Sequence, residues 1–156
     1  MAEFVLTDSL KQLIGSSIGP ILYKVEEGAI QRYAKAVGDS NPLYNNIEYA
    51  SNSQWGRLMA PPGFAGWPLA PGQDILHLVD KVISAGAPRG NLDGGVEFEF
   101  LSPIGAGDVL AALIRIINIE GLETKLGPTV VTTVEVTYTN QRGAVAMIAR
   151  ITFLNF

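Results

Sequence analysis

The sequence predicts an α+β fold with an antiparallel sheet in its C-terminal half. Three observations predict it. Ile30, Tyr33, Ala34 and Val37 fall at i, i+3, i+4 and i+7, one apolar stripe on a helix. After Gly94 the period switches to two, and Val96, Phe98 and Phe100 alternate with Glu97 and Glu99. Asn140-Gln141-Arg142-Gly143 then forms a hairpin turn between two β-patterned runs, 129–139 and 144–154. Helical pattern followed by strand pattern places helices on one face of a sheet.

The elements follow in order. Ser9 to Ser16 reads as a short helix with Leu10, Leu13 and Ile14 on its apolar side. Residues 21–25 read as a short strand. The 27–37 helix comes next, and Gly38 is placed to end it in the left-handed conformation. Asn45, with Glu48 three residues on, resembles a capping box and predicts a short helix over 46–52. Residues 60–72 hold Pro61, Pro62, Gly63, Gly66, Pro68, Pro71 and Gly72, a density of breakers that predicts an ordered loop. A helix starts at Gln73, with Ile75, Leu76, Val79, Val82 and Ile83 sharing one face, and Gly86 and Pro88 end it. Residues 109–119 are apolar on both sides, as in a covered central strand.

A chain of 156 residues suits one domain, here 1–156. Hydrophobic residues make up 47% and charged ones 17%, enough for a substantial core and consistent with a surface covered by a second subunit. Net charge is −4 and no basic cluster occurs, so nucleic-acid binding is not expected. With no cysteine, disulfides and thiolate chemistry are excluded, and a single histidine leaves no His-rich metal site. Neither a metal nor a cofactor is expected. No apolar run approaches the roughly 20 residues of a membrane span, and residues 1–8 lack a signal-peptide pattern. The expectation is a soluble, cytoplasmic protein.

Residues 38–44, Gly-Asp-Ser-Asn-Pro-Leu-Tyr, follow the central helix. They resemble the motif Asp-x-Asn-Pro-x-His of the MaoC-like enoyl-CoA hydratases, a hot-dog-fold family. Residues 56–64 resemble that family's segment after the catalytic loop. Residues 92–108 resemble its first long strand and the Gly-Asp turn beyond it. The resemblance runs from about residue 20 to the end, and is strongest to the N-terminal or FAS1-like branch of MaoC-type dehydratases. It implies an antiparallel sheet of about five strands wrapped around the 27–37 helix. It also implies an acyl-CoA or acyl-carrier thioester as ligand, reversible hydration of an enoyl thioester, and a second hot-dog subunit.

Carried over residue by residue, the resemblance puts Asp39, Asn41 and Tyr44 at the catalytic positions, with Tyr44 where the motif has histidine. Taken alone, Asp39 reads as an Asx-turn residue. With Asn41, Pro42 and the downstream matches it reads as a site residue. A phenol with a pKa of about 10 stays protonated at neutral pH, so Tyr44 donates a hydrogen bond but is a poor base. It reads as a side chain packed over the mouth of the acyl tunnel. Gly63 and Phe64 form either an ordinary proline–glycine turn or the backbone N–H that meets the enolate oxyanion. Trp55, Phe64 and Trp67 line the acyl pocket or fill the core. His77 shares the polar side of its helix with Asp80, Lys81 and Ser84, and is expected to be solvated.

These features predict an acyl-CoA-binding subunit that pairs with a His-bearing partner. The rival readings are a stand-alone hydratase or dehydratase with altered residues, a non-enzymatic acyl-binding protein, and a hot-dog thioesterase. The last needs a water-activating carboxylate, for which Asp39, Glu97 and Glu99 are the candidates.

Overall fold

The computed structural model describes residues 5–64 and 75–156, the side chain of Ile75 excepted. The two-residue alternation becomes four strands: β2 (Asn91–Phe100), β3 (Val109–Thr124), β4 (Gly127–Asn140) and β5 (Val145–Asn155). With β1 (Ser17–Lys24) they form one antiparallel sheet of five strands in the order β1-β3-β4-β5-β2. The expected sheet of about five strands, and the α+β hot-dog class, are what the chain adopts.

One face of this sheet carries the core. Leu110, Ala112, Ile114 and Ile116 of β3 alternate inward, as do Val130, Val134, Val136 and Tyr138 of β4 and Met147, Ala149, Ile151 and Phe153 of β5. Helix α2 (Glu27–Ala36) sets Ile30 and Ala34 among them, both fully buried. Burying an Ile side chain contributes roughly 1.5–3 kcal/mol, so this stripe fixes which way the helix faces. Helices α1 (Asp8–Gln12) and α5 (Ile75–Ser84) add Leu10, Leu78, Val79 and Val82 to the same cluster.

Several boundaries differ from expectation, each for a physical reason. Helix α1 is shorter than 9–16, because Gly15 turns with a φ of 87° and its N–H meets the Ile116 carbonyl at 2.8 Å. That bond starts the β1–β3 ladder early, at Ser17. The α2 stripe ends at Ala34. Val37 is 57% exposed, because the helix stops at Ala36 and Gly38 turns the chain away. On α5, Leu76 is exposed and Leu78 is buried in its place. His77 is half-buried rather than solvated.

Strand β3 is covered on one face only, not two. Val109, Leu113 and Ile117 on its other side are each about 37–39% exposed. An apolar run on both sides had implied a doubly covered strand, but the helices pack on a single face of the sheet. Residues 65–74, which include most of the expected loop and the start at Gln73, lie outside the described residues.

Candidate functional site

The motif segment is a compact capping structure. Gly38 (φ 73°) closes α2: the Asp39 N–H donates to the Ala34 carbonyl at 2.9 Å and the Gly38 N–H to Lys35 at 3.3 Å. This is the paired closure that a glycine in the left-handed region permits. The Asp39 carboxylate then accepts from the Asn41 N–H at 2.9 Å, an Asx-turn. Asn41 in turn caps α3 (Pro42–Asn45), its side-chain oxygen accepting from the Leu43 N–H at 3.0 Å, with Pro42 at the first helical position. The single-turn helix α3 was not expected from the pattern.

Asn45 is not the cap of the next helix, as its spacing to Glu48 had implied. Its side-chain amide donates to the Asp39 and Asn41 carbonyls at 2.8 and 3.1 Å. Asn46 caps α4 (Ile47–Ser51) instead, accepting from the Tyr49 N–H at 2.9 Å. With Asn45 occupied behind it, the next side chain is the one free to face the helix start.

Beyond α4 the chain forms one wall of a groove. Met59, Ala60 and Pro62 line it from that segment, Phe100 from the end of β2, and Leu101, Ser102, Pro103 and Ile104 from the β2–β3 connection. Leu43 and Tyr44 of the motif segment and Trp55 complete the lining. The groove holds about 410 Å³, a volume typical of small-molecule sites, and no described lining residue is charged. Backbone bonds tie the walls together: Ala60 N–H to Ile104 O at 2.8 Å and Ala106 N–H to Leu58 O at 2.9 Å. The Met59 N–H also reaches the Leu43 carbonyl at 2.9 Å and joins the wall to α3.

Of the expected site residues, the groove therefore brings together Tyr44, half-buried against the core, and Trp55, 41% exposed. Asp39 and Asn41 lie just upstream and hold the turn that delivers Tyr44. Gly63 and Phe64 follow the Pro62 wall. Pro61, Pro62, Gly63 and Phe64 make a turn closed by Phe64 N–H to Pro61 O at 3.0 Å, with Gly63 at a φ of 86°. Proline second and glycine third is what a type II turn requires. The Gly63 N–H has no acceptor among the described residues. The Tyr33 hydroxyl lies 2.7 Å from where a Gly63 Cβ would stand, so any side chain there would have to displace it as well as adopt a left-handed backbone. Phe64 is buried and meets Tyr33 edge to face at 5.6 Å, which makes it a core residue behind the turn. Trp67 lies outside the described residues.

The sequence reading missed one network. Arg57 Nη1 and Nη2 donate to Asp108 Oδ1 and Oδ2 at 2.8 and 2.9 Å, and Nη1 also to Ala106 O at 3.1 Å. The Gly105 N–H and the Gln141 amide complete the Asp108 carboxylate at 3.0 and 3.1 Å. Burial pushes this carboxyl up, but Arg57, the Gly105 N–H and Gln141 together outweigh it and hold it below the usual range. Both partners sit in the segments that carry the family resemblance. The available signal was that a Gly-Asp turn beside apolar strands buries a carboxylate that needs a cation.

Glu97 and Glu99 are not among the described residues that line the groove. They lie on the helix-free face of the sheet, 4.0 and 3.5 Å from Arg150, which also donates to Glu135 at 3.2 Å. Tyr23 and Tyr138 cross edge to face at 6.4 Å inside the core. Burial pushes both hydroxyls well above their ordinary range, so they stay protonated. No group of three or more carboxylates and imidazoles suited to a metal ion occurs among the described residues. Nor is any described helix long and apolar enough to cross a membrane.

Residues 12–149 match the family model of the FAS1-like dehydratase domain region. The chain is 29% identical over 109 residues to a UPF0336 protein of Thermobifida fusca (strain YX), a match covering 66% of each, just under two thirds of that protein's length. Its fold is similar to that of a chain of the C-terminally truncated HadBC (3R-hydroxyacyl-ACP dehydratase) complex from Mycobacterium tuberculosis. There the TM-score is 0.71 at 22% identity, over 97% of this chain and 100% of that one. It is likewise similar to a chain of the ChsH1-ChsH2 complex of the same organism, with a TM-score of 0.79 at 18% identity, over 96% and 94%. At such identities the likeness is one of fold.

Proposed function

The chain belongs to the FAS1-like dehydratase family, a MaoC-like hot-dog family, and we propose that within it this chain is the acyl-thioester-binding subunit of a heteromeric hydratase. The observation that carries the proposal is the uncharged groove in which Tyr44 and Trp55 meet Met59, Phe100 and Leu101. An acyl-CoA or acyl-carrier thioester lies along it, with the acyl chain against Trp55 and Phe100. The Gly63 N–H is offered to the thioester oxygen, where developing enolate charge needs a donor. Asp39 supplies the carboxylate of the motif. Tyr44 donates a hydrogen bond but does not accept the water proton, so the imidazole comes from a second hot-dog subunit. Two fold neighbours are two-component complexes by their own titles, which supports such a partner. A cytoplasmic location is part of the same proposal.

Turnover tests it. The purified chain is expected to hydrate crotonyl-CoA about 10²–10⁴-fold more slowly than a relative with the intact motif, the contribution of one positioned acid–base group. Tyr44→His is expected to recover part of that factor. Asp39→Asn in the same background removes the carboxylate but keeps an oxygen for the Asn41 N–H, and is expected to cancel the gain. Brisk wild-type turnover that vanishes in Tyr44→Phe would make the phenol the catalytic group and the chain an enzyme by itself.

A further inference from the structure

The groove has two walls from distant parts of the chain, and one ion pair stands behind both. Arg57 precedes the wall of Met59, Ala60 and Pro62, and Asp108 follows the wall of Phe100 to Ile104. The Asp108 side chain is only 6% exposed, and its carboxylate takes two bonds from the Arg57 fork, one from the Gly105 N–H and one from Gln141. Gln141 also accepts from the Val109 N–H at 3.1 Å, which draws the β4–β5 hairpin into the same knot. There is no slack around it. A Cβ at Gly105 would stand 2.7 Å from Arg57 Nε and 2.9 Å from the Leu58 carbonyl.

We infer that Arg57 and Asp108 are positioning residues, whose bidentate pair sets the spacing of the two groove walls and hence the affinity for the acyl chain. The inference rests on the reading of the groove as an acyl-thioester site. A planar guanidinium fork on a carboxylate fixes distance and angle together, which a point charge does not. The Pro61–Phe64 turn continues from the Arg57 wall, so the same pair also bears on where the Gly63 N–H points.

The experiment separates positioning from stability. Removing one partner leaves a buried charge uncompensated, whereas neutralising both is often tolerated. Arg57→Met/Asp108→Asn does the latter and keeps an oxygen for the Gly105 N–H. Arg57→Lys keeps the charge but loses the fork, and serves if the double variant fails to fold. Octanoyl-CoA and butyryl-CoA are titrated calorimetrically into wild type and variants shown to be folded by circular dichroism. The double variant and Arg57→Lys are expected to keep a melting temperature close to wild type. Both are expected to bind octanoyl-CoA at least about tenfold more weakly, a 1.4 kcal/mol difference. The octanoyl-to-butyryl affinity ratio is expected to fall as well, since altered wall spacing acts on chain length and simple destabilisation does not. Variants that stay folded and bind both thioesters within twofold of wild type would overturn the inference and leave the acyl-binding reading standing. Absence of binding by the wild type would sink that reading, and the inference with it.

Discussion

The motif segment 38–46 and the clamp of Arg57, Asp108 and Gln141 border the same groove but are built on opposite principles. The motif holds itself together over short stretches of chain. Its bonds join residues two to six apart: Asp39 to Asn41, Asn41 to Leu43, and Asn45 back to Asp39 and Asn41. The clamp joins residues 51 and 33 positions apart, and its carboxylate is almost wholly buried where the motif's side chains are half-exposed. Local bonds specify the shape of a turn. Long-range bonds specify where two turns stand relative to each other. Damage to the motif is therefore expected to stay local, and damage to the clamp to reach the whole molecule.

The largest expected effect lies at the clamp. Arg57→Met strands the Asp108 carboxylate. Loss of one partner of a fully buried pair costs about 3–5 kcal/mol, and with the Arg57 side chain 31% exposed the expected loss is about 2–3 kcal/mol, read from urea unfolding. A loss under about 0.5 kcal/mol would show that the pair is solvated and fixes nothing.

Gly63, where the groove wall turns into the core, comes next. Gly63→Ala meets both the φ of 86° and the Tyr33 hydroxyl at 2.7 Å, and is expected to cost about 1–3 kcal/mol. Tyr33→Phe in that background removes the obstructing oxygen and is expected to return part of the loss. No recovery would mean that backbone strain alone sets the cost.

The motif is expected to be the mildest of the three. Asn41→Ala removes the α3 cap and is expected to cost about 1 kcal/mol. A cost equal to that of Arg57→Met would erase the contrast between the regions.

Acid sharpens the contrast further. The folded Asp108 carboxyl is held below its ordinary range, so its stabilising effect is full above about pH 4, the unfolded value, and is lost as pH falls through the lower folded value. Asp108→Asn is expected to flatten the stability profile in that acid window. An unchanged acid limb in the variant would assign the acid sensitivity to other carboxylates.

Much of the architecture was legible in the residues. The two-residue alternation from Val96 onward, the Asn140–Gly143 turn and the Ile30–Ala34 stripe each arise from local periodicity, which any sheet or helix must satisfy. The turn is realised as expected, with the Asn140 side chain accepting from Arg142 and Ala144 and Gly143 at a φ of 81°. Gly38 and Asp39 likewise declared a helix stop and an Asx-turn, because each rests on bonds to near neighbours, whereas the start of α3 at Pro42 went unread. Reading failed where a neighbour in space decided the outcome. Asn45 had the spacing of a cap but lost that role to Asn46, since its amide was drawn back onto Asp39 and Asn41. Val37 and Leu76 had the spacing of core residues, but the surfaces they needed lay elsewhere. Strand β3 read as doubly covered, yet the helices all lie to one side of it.

By itself, then, the sequence determined the α+β class, the antiparallel hairpin, the family motif and the tyrosine in its last position. All are written in the order and type of adjacent side chains. Only the tertiary structure decided that Tyr44 and Trp55 share a groove with Phe100 and Leu101, and that Arg57 finds Asp108 across 51 residues of chain. Those pairings depend on how the sheet folds over α2, and nothing within a few residues of either partner encodes that distance.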